Sequence, residues 1–200
     1  MTERKLPIGV QSFEILRENN FLYIDKTQYV AQLLSGRVYF LSRPRRFGKS
    51  LFLSTLAAYF RGQKELFKGL YLEKAEEELA RQEGREAWQK YPVLYLDLNA
   101  KNYENREKLL SILDAHLSLW AKEYLVTAPS EQDFSMRFKG VIRRACGQTG
   151  RQVVILVDEY DKPLLDTIEQ PELNENHRDI LRAFYSVIKS SDVYLRFVFL

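Results

Sequence analysis

Val38-Tyr39-Phe40-Leu41-Ser42-Arg43-Pro44-Arg45-Arg46-Phe47-Gly48-Lys49-Ser50 decides the fold of this 200-residue chain. Its first four residues are apolar, β-branched or aromatic, with Gly36 before them and Pro44 after, and read as a short buried strand. From Lys49 the period changes. Phe52, Leu56, Tyr59 and Phe60 recur at helical spacing, and Leu51, Leu53 and Ala57 fill more of the circumference, so a mostly buried helix is expected. Between strand and helix, Arg43 to Ser50 fits the phosphate-loop template Gly-x-x-x-x-Gly-Lys-Ser, except that Arg43 stands at the first glycine position. Gly48 lets the backbone approach an anion, the amides of the helix start point at it, and the helix dipole adds positive potential. Arg45, Arg46, Phe47, Gly48, Lys49, Ser50 and Leu51 are therefore the candidate phosphate-binding residues. Lys49 would reach the β- and γ-phosphates and the Ser50 hydroxyl would hold Mg²⁺. The competing reading is a chance Gly-Lys-Ser at the start of an ordinary helix.

Val153-Val154-Ile155-Leu156-Val157-Asp158-Glu159 argues against chance. An unalternating apolar run is expected of a parallel strand covered on both faces. It ends in two carboxylates, the form in which ATPases present a magnesium-orienting Asp158 and a water-activating Glu159. Ligands of open α/β sheets bind at the carboxyl ends of strands, so Asp158 and the loop after Leu41 are expected to converge if their strands are neighbours. A polar strand terminus is the alternative for this pair taken alone.

Further out, Asp25 reads as an N-cap closed by Gln28 as a capping box, on a helix running to about Ser35-Gly36. Glu65 to Lys90 reads as charged helix broken near Gly69 and Gly84, with solvated faces. Val93 to Leu98 is a second strand. Leu109, Leu113, Leu117, Trp120 and Tyr124 stripe a helix that ends before Pro129, and Phe134 to Ala145 form another, terminated by Gly147 and Gly150. Ile180, Leu181, Phe184 and Ile188 stripe a last helix before the strand Tyr194 to Leu200. Strands separated by helices imply right-handed crossovers, hence an α/β fold with a parallel sheet and helices on both faces. The last strand runs to the end of the sequence without a turn, so the chain is expected to be a C-terminally truncated piece of something longer.

With 46% apolar and 28% charged residues the chain excludes disordered and collagen-like classes. A chain this long buries about 70% of its unfolded surface and needs no disulfide or structural metal for a core. The single Cys146 excludes an intramolecular disulfide and a cysteine zinc cluster. A net charge of +3 argues against direct nucleic-acid binding by field strength. With no signal peptide and no membrane-length apolar run, no membrane partner is expected and a cytoplasmic location is.

These stretches resemble the AAA-ATPase-like family of bacterial and archaeal P-loop ATPases, whose members often carry a PD-(D/E)XK nuclease-like domain C-terminal to the ATPase. The resemblance is carried by Leu6-Pro7-Ile8-Gly9 with Ser12-Phe13-Glu14, Tyr23-Ile24-Asp25-Lys26-Thr27, Phe40 to Leu51, Tyr59-Phe60, Glu65 to Leu70, and Val157-Asp158-Glu159-Tyr160-Asp161-Lys162-Pro163. The family likewise lacks the first glycine of the loop. The resemblance implies a P-loop NTPase three-layer sandwich of the additional-strand, catalytic-glutamate type. One domain then spans residues 1–200, with 1–36 as lead-in and helix and 37–200 as a core incomplete at its C-terminus. It also implies ATP and Mg²⁺ as cofactors, with magnesium at Ser50 and Asp158 and Glu159 as the catalytic residue. Val93 to Leu98 would be among the candidates for strands inserted in sequence between the phosphate-loop strand and the Asp-Glu strand, and Tyr194 to Leu200 would be the strand leading to a polar sensor. A homo-oligomer and a nuclease-like domain on a longer chain are the other partners considered.

Two functions follow, an ATPase and a nucleotide-dependent switch or scaffold that hydrolyses little and controls a linked nuclease-like effector. Several polar residues have simpler readings. Asp25-Lys26-Thr27 is a helix cap with a nucleotide contact as its alternative, and Asp161 a cap of the next helix with a magnesium contact as its alternative. Arg43, Arg45 and Arg46 divide between phosphate and carboxylates such as Asp25 or Asp161, Arg46 being the better phosphate candidate. His116 and His177 have no metal-ligand partner at the right spacing, and Cys146 reads as a packing residue.

Overall fold

The computed structural model describes residues 5–42, 47–99, 102–124 and 133–200. Along it run α1 (Phe13–Glu18), α2 (Thr27–Leu33), β1 (Val38–Tyr39), α3 (Lys49–Phe60), α4 (Tyr71–Glu83) and β2 (Val93–Asp97). Then follow α5 (Arg106–Glu123), α6 (Phe134–Thr149), β3 (Val153–Asp158), α7 (Lys162–Leu165), α8 (Pro171–Ser190) and β4 (Leu195–Phe199). The fold is α/β, as expected, with a four-stranded, all-parallel sheet in the order β1-β4-β3-β2. β1 pairs with β4 in the register Val38↔Val198 and Tyr39↔Phe199. The chain divides into two compact units, Met1–Val93 with Phe197–Leu200, and Leu94–Arg196.

In the first unit, α3 follows its sequence pattern. Leu53 and Thr55 through Phe60 are buried, and the rings of Phe60 and Phe197 lie 4.9 Å apart. Gly48, its N-cap, supplies no capping side chain. Packing therefore holds the helix, since each buried aromatic or leucine contributes about 1.5–3 kcal/mol against about 1 kcal/mol for a cap. Three local expectations need correction. β1 is short and open to solvent, with Val38 65% exposed and Phe40, just after it, 59% exposed; it pairs with β4 alone among the described strands. α2 starts at Thr27 with Lys26 at the N-cap position. The Asp25 carboxylate turns instead to the amide and hydroxyl of Thr27, at 2.8 and 2.7 Å, and to the amide of Tyr71 at 2.7 Å. Within the charged stretch before Lys90, Glu77 and Glu78 are solvated as expected, but Glu76 is fully buried. It accepts from the Tyr59 hydroxyl, two Arg85 nitrogens and the Trp88 amide.

In the second unit, Leu109, Leu113, Leu117 and Trp120 are the buried stripe of α5, and Phe138 on α6 stacks on Phe184 of α8 at 4.3 Å. α6 passes through Gly147 and stops only at Gly150, whose φ of +64° is the left-handed conformation that ends helices. Of the two terminators expected there, one acts. β3 is buried along its whole length, as its unbroken apolar run requires.

Candidate functional site

Of the candidate phosphate residues, Phe47, Gly48, Lys49, Ser50 and Leu51 lie at the start of α3. Gly48 has φ +75°, which glycine adopts freely and other residues rarely do, and its carbonyl accepts from the Phe52 amide at 3.0 Å. No helical carbonyl lies four residues before Lys49, Ser50 or Leu51, so their amides have no partner inside the helix. The first turn holds no acidic side chain to neutralise that end. A helix start of this kind favours an anion. Phe47 beside it is 63% exposed, while Lys49, Ser50 and Leu51 are half-buried. Arg45 and Arg46, with Arg43 and Pro44, lie outside the described residues.

The carboxylate pair stands at the end of β3. Asp158 is 5% exposed, and its carboxylate accepts one neutral hydrogen bond at each oxygen, from the Tyr95 hydroxyl at 3.3 Å and from the Glu159 amide at 3.1 Å. Its backbone carbonyl accepts from the Leu98 amide. Two carboxylate oxygens offer about four acceptor positions, so capacity for a further donor or a cation is left. Glu159 is half-buried with φ +52°, one of the few non-glycine residues in the left-handed region. Its carbonyl receives the Lys162 amide at 3.0 Å, which closes the turn into α7. A charged residue held this way marks over-determined backbone, a feature that clusters at functional sites.

Tyr95 escaped the sequence reading. It lies between the buried Leu94 and Leu96 on β2, and a lone hydroxyl on an apolar strand was the available signal. Asp161 occupies the N-cap position of α7, yet the amides of Leu164 and Leu165 bond to its backbone carbonyl, and its side chain makes no cap bond. Burial and the Asp161 charge push the neighbouring Tyr160 phenol above its ordinary range. Asp25 spends its carboxylate on Thr27 and Tyr71, which favours its structural reading. The buried His177 ring lies between the carbonyls of Pro163 and Asn105, and His116 lies against the Asp97 carbonyl and Trp120, both in structural settings. Among the described residues no three His, Cys, Asp or Glu side chains form a metal cluster, and no helix is long and apolar enough to cross a membrane.

The chain matches the family described as Predicted AAA-ATPase over residues 7–200. It is 42% identical over 203 residues to a protein of Azotobacter chroococcum mcd 1 known as the uncharacterized protein in the vnfD 5′ region. That alignment takes in 100% of this chain and 37% of the relative, so the chain spans little more than a third of the relative's length. No solved structure matches. The chain belongs to the predicted AAA-ATPase family, as its loop and carboxylate motifs imply.

Proposed function

We propose that this AAA-ATPase family member binds ATP with Mg²⁺ at the start of α3 and hydrolyses its β–γ phosphoanhydride. The observation that carries the proposal is the acid-free helix start behind a left-handed Gly48, with Lys49 and Ser50 as its first residues. The amides of Lys49, Ser50 and Leu51 hold phosphate oxygens, and the Lys49 ammonium, with Arg45 and Arg46, balances their charge. The Ser50 hydroxyl and the Asp158 carboxylate would each offer the metal an oxygen ligand, the donor type that magnesium takes. Mg²⁺ supplies charge neutralisation at the β- and γ-oxygens when bound. Glu159 accepts a proton from the attacking water at its carboxylate. Catalysis then rests on positioning and electrostatics. Residues 37–200 form the nucleotide core of this reading, with 1–36 leading in. The additional-strand type is supported by the order β1-β4-β3-β2, in which β4 separates β1 from β3.

Thermal unfolding with and without Mg·ATP tests the site. Nucleotide at 100 times its dissociation constant stabilises a fold by about 2.7 kcal/mol, roughly 5–10 °C for a chain of this size. Lys49→Ala removes a charged hydrogen bond and weakens binding by about 1.5–3 kcal/mol, so most of that shift is lost at the same nucleotide concentration. An unchanged midpoint in the unsubstituted chain at saturating Mg·ATP refutes the proposal.

A further inference from the structure

α6 carries Arg137, Lys139, Arg143 and Arg144 and no carboxylate, four cations in a chain whose net charge is +3. The rest of the chain is therefore slightly acidic, and the chain-wide charge conceals a local cluster. One side of the helix is committed to the core. Phe138, Val141, Ile142 and Ala145 are buried, and Phe138 stacks on Trp120 of α5 and on Phe184 of α8. The 3.6-residue period puts Gly140, Arg143 and Gly147 on the opposite side, with Lys139 and Arg144 flanking them. Lys139, Arg143 and Gly147 are exposed. Arg137 pairs with Asp114, whereas Lys139 and Arg143 have no carboxylate partner among the described residues. A hollow of about 410 Å³ lies on this outer side, lined by Gly140, Arg143, Arg144, Gly147 and Gln148 among the described residues. Glycine weakens a helix interior, yet both glycines of α6 stand here, and a Cβ at Gly147 would meet no atom within 4 Å. The helix thus offers unpaired cations around an open hollow that a bulky anion can approach closely.

We propose that the outer face of α6 binds the phosphate backbone of a nucleic-acid duplex without reading its sequence. Charge complementarity carries the inference, since Lys139 and Arg143 lie one helical turn apart and face water with no acid to neutralise them. An anionic membrane is disfavoured because a helix lying on lipid must insert its apolar face, and that of α6 is already buried. A protein partner is disfavoured because stable interfaces centre on desolvated aromatic or aliphatic anchors, and this face carries Met136 alone as a large exposed hydrophobic. A single strand is disfavoured for a related reason. Single-strand binders stack bases on aromatic rings, and the hollow has none among its described lining residues.

Titration of a short mixed-sequence DNA duplex with the 200-residue chain at several salt concentrations tests the proposal. The logarithm of the affinity is expected to fall with the logarithm of salt at a slope of about −2 to −3, from contacts by Lys139, Arg143 and Arg144. Scrambling the duplex sequence should leave the affinity unchanged. Lys139→Glu/Arg143→Glu should weaken binding at low salt at least roughly tenfold and flatten the slope by about two. Lys139→Arg/Arg143→Lys, which keeps both charges, should preserve both quantities. An unfolding midpoint equal to that of the unsubstituted chain separates a lost contact from a lost fold. If charge reversal lowers that midpoint, Lys139→Gln/Arg143→Gln, which adds no acid, takes its place with the same expected flattening. Absence of duplex binding at low salt, or an affinity that survives loss of both charges, overturns the proposal. Tighter binding to a single strand, to polyglutamate or to phosphatidylserine vesicles than to the duplex overturns it as well.

Discussion

Each unit buries a carboxylate, and the two are treated in opposite ways. Glu76, fully buried on α4, accepts four hydrogen bonds, including two charged ones from Arg85. Asp158, nearly as buried at the end of β3, accepts one neutral bond at each oxygen and has no ion-pair partner among the described residues. An isolated charge in a protein interior costs several kcal/mol unless it is paired and hydrogen-bonded. Glu76 meets that condition within its own unit. Its charge helps burial to push the Tyr59 phenol above its ordinary range, and it is the main reason that the Arg85 guanidinium is held more firmly protonated. Asp158 meets the condition only in part. Saturation marks a carboxylate that serves the fold, and spare capacity is what the proposed metal role of Asp158 needs.

The largest effect should therefore come from the saturated group. Glu76→Ala leaves the Arg85 charge and the Tyr59 hydroxyl without their acceptor and is expected to cost about 3–5 kcal/mol in urea unfolding. Asp158→Asn keeps an oxygen acceptor and removes an under-compensated charge, so its change should stay within about 1 kcal/mol. Its effect should appear instead as loss of the Mg²⁺-dependent part of the ATP-induced thermal shift. Equal destabilisation by the two substitutions would erase the distinction drawn between them.

The backbone repeats the contrast on a smaller scale. Gly48 and Glu159 both occupy the left-handed region, but only Glu159 carries a side chain there. A side chain in that conformation costs about 1–2 kcal/mol, and part of the relief that glycine brings is offset by its larger unfolded-state entropy. Glu159→Gly should thus raise stability by about 1 kcal/mol while abolishing ATP turnover, since it also deletes the proposed proton acceptor. A variant that loses stability would show that the Glu159 side chain serves the fold as Glu76 does.

The signals legible in the sequence were those whose cause is local. The helical spacing from Phe52 to Phe60 and the unbroken run from Val153 to Val157 became a buried helix and a buried strand because periodicity reports which faces are covered. Gly48 and the Asp158-Glu159 pair stand out as candidates because the motifs they form are a few consecutive residues long. Contacts across long stretches of chain were not legible. Glu76 looks like its solvated neighbours until Arg85 and Trp88 fold back onto it, and the apolar composition of Val38 to Leu41 gives no sign that Val38 is exposed. Tyr95 meets Asp158 across 63 positions, and no local pattern announces the pair.

Asp25 is a third carboxylate, and it grades the scale between the other two. It is more solvated than either, and it ties the start of α2 to the start of α4 by accepting from Thr27 twice and from Tyr71 once. Partial burial on its own would raise its pKa, but the Tyr71 and Thr27 donors outweigh burial and hold it below the usual aspartate value. A carboxyl whose folded pKa lies below its unfolded one contributes stability that is present above the unfolded value. That stability is lost as pH falls through the folded value. Asp25→Asn should therefore narrow the stability difference between neutral and acid pH, an effect read as a flatter dependence of the urea midpoint on pH below the ordinary aspartate range. Because the group is largely solvated, the change should be the smallest of those described. A pH profile unchanged by the substitution would mean that the three donors hold Asp25 no more tightly than water does, and that saturation stabilises a carboxylate here only where solvent is excluded, as it is at Glu76.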